Sequence, residues 1–407
     1  MAEEAVNRAQ VLPPPIERGT PLAWAQKNLF SNWWNSLLTL VSLAIIFFVL
    51  RGVITWVFQT AQWEVIRVNF RLLMVGLYPA QQMWRVWLCL HLLAAIVGLT
   101  YAAWPLRRAW IGAAALALPV IGALLVQSPD ARLHLLVMAG AALAAYVVGR
   151  LLSGRFGISL PRRIAIRAWV LYFPLVLLII AGLSRDAGPL RAVPSNFWGG
   201  LMLTFLLTIV GIVFSFPIGV LLALGRRSQL PVVKWTSIAY IELIRGVPLI
   251  TILFMASTMV PLFLPQGVNI DRVLRAMVGI TLFSSAYLAE NVRGGLQAIP
   301  QGQYEAAHAL GLSGFRTMRL IILPQALRLV IPVLVGQFIA LFKDTTLVVT
   351  IGLLELLGIS RSILAQPQFI SNQHEVLVFI TVIYWLISYF MSVISQRLEI
   401  TLGVGQR

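Results

Sequence analysis

The sequence predicts an all-α, polytopic membrane protein of about ten transmembrane helices, and three observations carry that prediction. Of 407 residues, 59% are apolar and 11% charged, whereas a soluble domain has about 45–50% and about 25%. The mean hydropathy is +0.87 for the whole chain, so too little polar surface remains to wrap one large core. Apolar runs also recur at a length suited to a helix crossing about 30 Å of hydrocarbon, about 20 residues each.

Residues 1–35 read as a cytosolic tail. Glu3, Glu4, Arg8, Glu17 and Pro13, Pro14 and Pro15 leave no apolar stretch of the kind a cleavable signal needs. Trp33 and Trp34 suit an interfacial aromatic belt ahead of the first span, 36–58. Further spans are expected at 86–104, 110–126, 133–149 and 164–183, the third and fourth being short. Together these make a five-helix N-terminal membrane extension, 36–190. A polar, turn-rich seam follows at 184–198, carrying Gly188, Pro189 and Pro194. Beyond it, in 191–407, lie spans at 200–224, 237–264, 274–290, 327–350 and 375–396, while 351–374 is too irregular for a span. The longest polar loop, 291–326, has no counterpart in the first half, so nothing in the sequence supports a repeat between the halves.

Placing the N-terminus inside puts seventeen basic residues in the inside segments and nine outside. The inside set includes Arg107, Arg108, Arg150, Arg155, Arg162, Arg163, Arg226 and Arg227. Cytosolic loops hold the excess of Lys and Arg, so an N-in, C-in arrangement is expected. The same rule accounts for the net charge of +17. No aromatic-interleaved basic patch or binding motif points to nucleic acid; the bilayer is the expected partner.

Enzyme and cofactor motifs are missing. No GxxxxGK[ST] loop occurs, and no GxSxG nucleophile elbow. His91, His134, His308 and His374 are never at i, i+4, so no HExxH metal site forms. Cys89 is the single cysteine, which excludes a disulfide framework and a CxxC site. The chain is expected to be no enzyme, and to carry neither metal nor cofactor.

The informative segment is 291–326. Pro300 suits the first turn of a helix, residues 301–310 favour helix, and Gly311 suits the left-handed position that ends one. Ser313 can cap a second short helix, 314–322, which Pro324 is expected to halt. Glu305 sets a charge beside Ala306 and Ala307, whose small side chains let another surface approach the backbone. The pattern is Glu305-Ala306-Ala307, then Gly311, Ile321, Leu323 and Pro324 at fixed spacing. Here the chain resembles the integral-membrane subunits of ABC importers, whose signature is this EAA loop.

Neighbouring segments narrow the resemblance to polar amino acid permeases of the histidine/glutamine type. They include Phe197 to Thr204, Ser215 to Gly219, Ala223 to Arg226, Tyr240 to Pro248 and Ala286 to Glu290, within a similarity over about 196–400. The added N-terminal half, with Asn69 to Gly76, is similar to the extended subunits of broad-specificity L-amino acid importers of Gram-negative bacteria. The resemblance implies a five-helix type I permease core in the bacterial inner membrane. It implies a second, related permease subunit or a copy of this one, and a periplasmic amino-acid-binding protein. It also implies a cytosolic ABC ATPase dimer, on which ATP and Mg would sit and into which the EAA loop would fit. The reading from another class is a stand-alone secondary transporter or channel for small polar solutes.

Charges within spans complete the candidates. Glu242 with Arg245, and Glu290 with Arg293, stand at i, i+3 and read as structural ion pairs. Lys343 and Asp344 are adjacent, pointing about 100° apart on a helix, so they do not simply neutralise one another. With Thr345 and Thr346 they form a polar step that either lines a translocation path or pairs with neighbouring helices. Arg51 and Arg167, near span edges, are expected to snorkel.

Overall fold

The computed structural model describes residues 21–104, 109–126, 128–183, 188 and 190–403. Residues 1–20 of the expected tail, Arg107, Arg108, Arg407 and 184–187 and 189 of the seam lie outside the described residues. The described chain is helical, and two compact units divide it, Met1–Trp63 and Glu64–Arg407.

The first unit holds α1 (Pro21–Leu29) and α2 (Trp33–Thr55). The Asn32 side chain caps α2 by accepting from the Asn35 amide at 2.8 Å, satisfying one of the donors a helix start leaves open. A wide turn at Trp56–Thr60 extends α2. No residue of α2 is buried. A helix apolar on all faces, with none covered by its own unit, is made for a lipid or protein environment.

The second unit begins with α3 (Glu64–Val75), inside a stretch that the sequence reading left between spans. Its short apolar stripe of Val65, Ile66 and Leu73 is buried, and α3 packs on helices from the C-terminal half. The compact unit that begins at Glu64 therefore spans the polar seam near 190.

Next come α4 (Met83–Ala103), α5 (Ala109–Leu125), α6 (Pro129–Phe156) and α7 (Ser159–Ala181). Helices α4 and α6 touch backbone to backbone, since a Cβ added to Gly98 would stand 2.0 Å from the Ala142 carbonyl oxygen. Small residues at such crossings let membrane helices gain van der Waals contact. At the far end of the bundle, the Tyr78 hydroxyl donates to the Ile180 carbonyl at 2.9 Å. The fully buried Arg85 donates to the Arg191 carbonyl at 2.7 Å. Both cover carbonyls at or beyond the C-terminus of α7, where a helix end favours positive charge.

The remaining elements are α8 (Gly200–Arg226), α9 (Pro231–Arg245), α10 (Leu249–Phe254) and α11 (Arg272–Gln297). They are followed by α12 (Gln301–Ala309), α13 (Gly314–Thr317), α14 (Leu323–Asp344), α15 (Leu356–Leu364) and α16 (Gln373–Leu402). One apolar core joins Tyr78, Leu203, Leu207, Leu253, Ile280 and Leu341, and a second joins Ala223, Ile241, Leu288, Val292, Ile322 and Val330.

Among the described residues, eight helices are long and apolar enough to cross a membrane, or nine with one bent pair. The third expected span, 110–126, coincides with α5, which has 17 residues and Pro119 inside it. The bent pair corrects the span expected at 237–264. Pro231–Arg245 and Leu249–Phe263 meet at 103°, because Pro248 takes extended backbone (φ −60, ψ 145) that breaks the helix. A second correction concerns Pro324, which halts nothing. A wide turn at Met318–Ile322 joins α13 to α14, and Pro324 falls in the first turn of α14, where its missing N–H costs little. The ninth span thus runs Gly314–Ile351.

Candidate functional site

The 291–326 segment folds as helix, turn, helix, although its first residues still belong to α11. Pro300, in extended backbone, precedes α12 and accepts at its carbonyl from the Gln303 amide at 3.0 Å. Gly311 stands at φ +72. Its amide donates to the His308 carbonyl at 2.9 Å, and the Leu312 amide to the Ala307 carbonyl at 3.1 Å, covering carbonyls that the end of α12 would otherwise leave bare. Nothing lies within 4 Å of where a Cβ on Gly311 would stand, so backbone conformation, not crowding, favours glycine there. Ser313 starts α13 through its carbonyl, which accepts from the Thr317 amide at 2.8 Å; its hydroxyl makes no cap bond.

Glu305 and Ala306 face outward, whereas Ala307 is fully buried. The small surface patch read from the sequence is thus one alanine wide, and Ala307 packs inward. Ile321 and Leu323 are half-buried against the second core, and Pro324 is exposed. Large apolar side chains around the turn stand in the open: Leu310 is 79% exposed, Phe315 74% and Leu320 63%. The sequence shows these as apolar residues within a polar loop, a signal that the spacing motif overshadows.

Two braces hold α12. Arg227, just past the end of α8, donates to the Leu296 carbonyl at 3.3 Å and the Tyr304 hydroxyl at 3.2 Å. Its guanidinium carbon also lies 5.8 Å from the centre of the Tyr304 ring. Gln325, at the start of α14, donates to Gln303 at 3.2 Å. No sequence spacing announces a contact between residues 77 apart.

The charges of α8, α9 and α11 converge beside this loop. Arg226 donates to Glu242 at 2.8 Å and to Glu290 at 3.5 Å. Arg245 lies 3.9 Å from Glu290 and covers the Tyr287 ring at 5.5 Å. Arg293 makes the expected local pair with Glu290. Glu242 therefore pairs across helices with Arg226, while Arg245 turns to Glu290, in place of the i, i+3 pair read from sequence. Three arginines and two glutamates form one network between three helices. Beside this network, the Asn291 side chain donates to Gln337 at 2.6 Å and Gln337 to the Ser284 carbonyl at 2.9 Å, linking α11 to α14.

Lys343 and Asp344 close α14, where the chain tightens into a 3₁₀ stretch, Thr345–Ile351. Lys343 is exposed and Asp344 half-buried. The Thr345 and Thr346 hydroxyls donate to the Phe342 and Lys343 carbonyls at 2.7 and 2.8 Å, so the preceding turn already satisfies them as donors. The structure does not bring these four residues to the charged network.

The structure is thus a polytopic helical bundle with a braced, apolar-tipped loop next to its spans. Residues 215–402 match the family of binding-protein-dependent transport system inner membrane components. The chain is 38% identical over 402 residues to the inner membrane amino-acid ABC transporter permease protein YhdY of Escherichia coli (strain K12), covering 95% of this chain and 94% of the relative. It is 34% identical over 430 residues, 98% of each, to the glutamate/glutamine/aspartate/asparagine transport system permease protein BztC of Rhodobacter capsulatus. A solved amino acid ABC transporter with histidines shares 31% identity over 49% of this chain and 91% of its own, with a TM-score of 0.45. The chain belongs to the ABC importer permease family. It is the transmembrane permease subunit of an ATP-driven importer, a multi-pass protein of the inner membrane and not itself an enzyme.

Proposed function

We propose that this subunit imports amino acids, with a second permease subunit or a copy of itself completing the path and a periplasmic binding protein delivering the substrate. The names of the full-length relatives support the substrate class. A cytosolic ATPase dimer, carrying ATP and Mg, drives the cycle through the loop around α12. One observation carries this reading: Leu310, Phe315 and Leu320 stand exposed around Gly311, beside Glu305 and Ala306, on an element braced from behind. Exposed apolar groups on a projecting polar loop are what a docked partner would cover. The loop and both termini are cytosolic in this reading, which the basic-residue count supports. Lys343, Asp344, Thr345 and Thr346 contribute to the path, and the Glu242, Arg245, Glu290 and Arg293 network holds the helices that the loop moves.

Gly311→Asp tests the coupling. It adds a left-handed backbone penalty of about 1–2 kcal/mol and an unpaired charge at a docked surface, costing several kcal/mol more. Typical coupling energies are only about 1–3 kcal/mol. The variant is expected to insert normally, while receptor-stimulated ATP hydrolysis and amino acid uptake in proteoliposomes fall together, by at least about tenfold. Lys343→Gln is expected to change uptake while the ATPase subunits still co-purify. A Gly311→Asp complex with full coupled turnover would make the loop a plain connector. For orientation, Ser313→Cys in a Cys89→Ser background is expected to resist impermeant thiol reagents outside intact spheroplasts; labelling there would reverse the topology.

A further inference from the structure

We propose that the end of the bundle formed by α4, α6 and α7 is a binding site for anionic phospholipid headgroups of the cytosolic leaflet. Arg150 and Arg155 lie in the last two turns of α6, and Arg162 and Arg163 in the first turns of α7, all exposed. Arg162 donates to the Ala103 carbonyl at 3.2 Å, which brings the C-terminus of α4 to the same place. From Val65 to Arg185 the only acidic residue is Asp130. It sits in the first turn of α6, twenty residues before Arg150 on one helix, so about 30 Å away at the opposite end. Among the described residues none of these four arginines has a carboxylate partner. Arg155 and Arg162 instead lie 5.6 Å from the Phe156 and Trp104 ring centres.

Shape agrees with charge. A shallow, open groove runs along the last turns of α6, lined by Tyr146, Val147, Leu151 and Ile158 and including Arg150 and Ser153. Along α6, Leu143, Val147 and Leu151 repeat every four residues and are 49%, 45% and 68% exposed. Apolar surface on the membrane side and guanidinium groups at the end follow the order of a phospholipid, acyl chain then phosphate. Arginine forks fit phosphate oxygens bidentately, and basic pockets at this level between membrane helices suit anionic headgroups. The choice of leaflet rests on the orientation proposed above.

The test is native mass spectrometry of the full-length chain with equimolar dioleoyl phosphatidylglycerol and dioleoyl phosphatidylcholine. The chain is expected to retain phosphatidylglycerol with at least about tenfold preference, because several cationic groups act together on one anion. Arg150→Gln, Arg155→Gln, Arg162→Gln and Arg163→Gln combined should bring the ratio close to one. The matching four Arg→Lys changes, which keep the charge and report on folding, should retain most of it. Equal retention of the two lipids by the wild type overturns the site, as does a preference that survives the four glutamines. Loss of bound lipid to tens of millimolar inorganic phosphate would make this a seat for free anions and overturn the proposal. So would loss of ATPase subunits from the glutamine variant with lipid preference unchanged, which marks a protein-docking patch. Ser153→Cys, in the Cys89→Ser background, should label only from the cytosolic side. Labelling from outside with the lipid preference intact supports the site and overturns the orientation, and with it the leaflet.

Discussion

Two clusters of arginine that the basic-residue count assigns to one side of the membrane are balanced in opposite ways. At α8, α9 and α11, Arg226, Arg245 and Arg293 share Glu242 and Glu290. At α6 and α7, Arg150, Arg155, Arg162 and Arg163 have no acid on any described neighbour. The first cluster is directed inward and ties helices together. The second has its counter-charge, if any, in its surroundings. Charge count alone, which assigned both to the cytosolic side, does not separate a structural lock from an interaction surface; the placing of acids does.

The largest expected break in that contrast is Glu290→Gln. It leaves three guanidinium groups around a neutral amide in a site where Glu290 is 22% exposed. Removing one partner of a largely buried pair costs about 3–5 kcal/mol, and residual solvent at this site reduces that to about 2–3 kcal/mol. Thermal unfolding of the purified chain should shift by several degrees, whereas Asp130→Asn, at the other end of the bundle from the second cluster, should barely move it. Equal shifts would erase the difference between the two clusters.

A smaller effect is expected at the brace. Tyr304→Leu removes both the hydroxyl and the ring that meet Arg227, contacts together worth about 1–2 kcal/mol. ATPase association should persist, with receptor-stimulated hydrolysis reduced by about fivefold to tenfold. Tyr304→Phe keeps the ring and should lose about half of that on a free-energy scale. A Leu variant as well coupled as wild type would make the brace incidental.

The smallest effect sharpens the comparison from the side of the acid. Glu355, fully buried, is held by the Leu357 and Gly358 amides and the Tyr384 hydroxyl, with no arginine in ion-pair contact. Burial pushes its carboxyl above the ordinary value, partly opposed by those hydrogen bonds. A raised pKa in the folded state means that the proton stabilises the fold. This contribution is whole below the unfolded value, about 4.3, and is lost as pH rises through the folded one. Glu355→Gln should therefore lose stability relative to wild type, and the gap should narrow from pH 4 to pH 7. A gap that widens over that range would show a carboxylate ionised and welcome at this position.

Much of the fold is legible because lipid imposes one simple demand, a long apolar helix. Each expected span coincides with helix, although the seventh is bent and α5 is short. Legibility fails where packing, not lipid, sets the pattern. Helix α3 hides behind Glu64, Arg67 and Arg71 because its buried stripe is only a few residues wide. Pro324 reads as a stop, since the sequence does not reveal the wide turn that resets the register before it. At the loop, Gly311 is read correctly from its own backbone requirement, whereas Ala307 is not, because a small residue serves an inward contact and an outward one equally well. The ion network escapes for a different reason. Spacing finds partners three or four residues apart, and Arg226 meets acids 16 and 64 residues away.

The wide turn at Met318–Ile322 also has a mechanical meaning. With no break there, Gly314–Ile351 is one helical run of 38 residues, about 57 Å at the usual rise and nearly twice the hydrocarbon thickness of about 30 Å. In the proposed coupling such a run would serve as a lever, with its arm outside the bilayer and its load within. Under the proposed coupling, a push on the exposed face around Phe315 would be carried toward Lys343 along this run, through the wide turn and past Pro332.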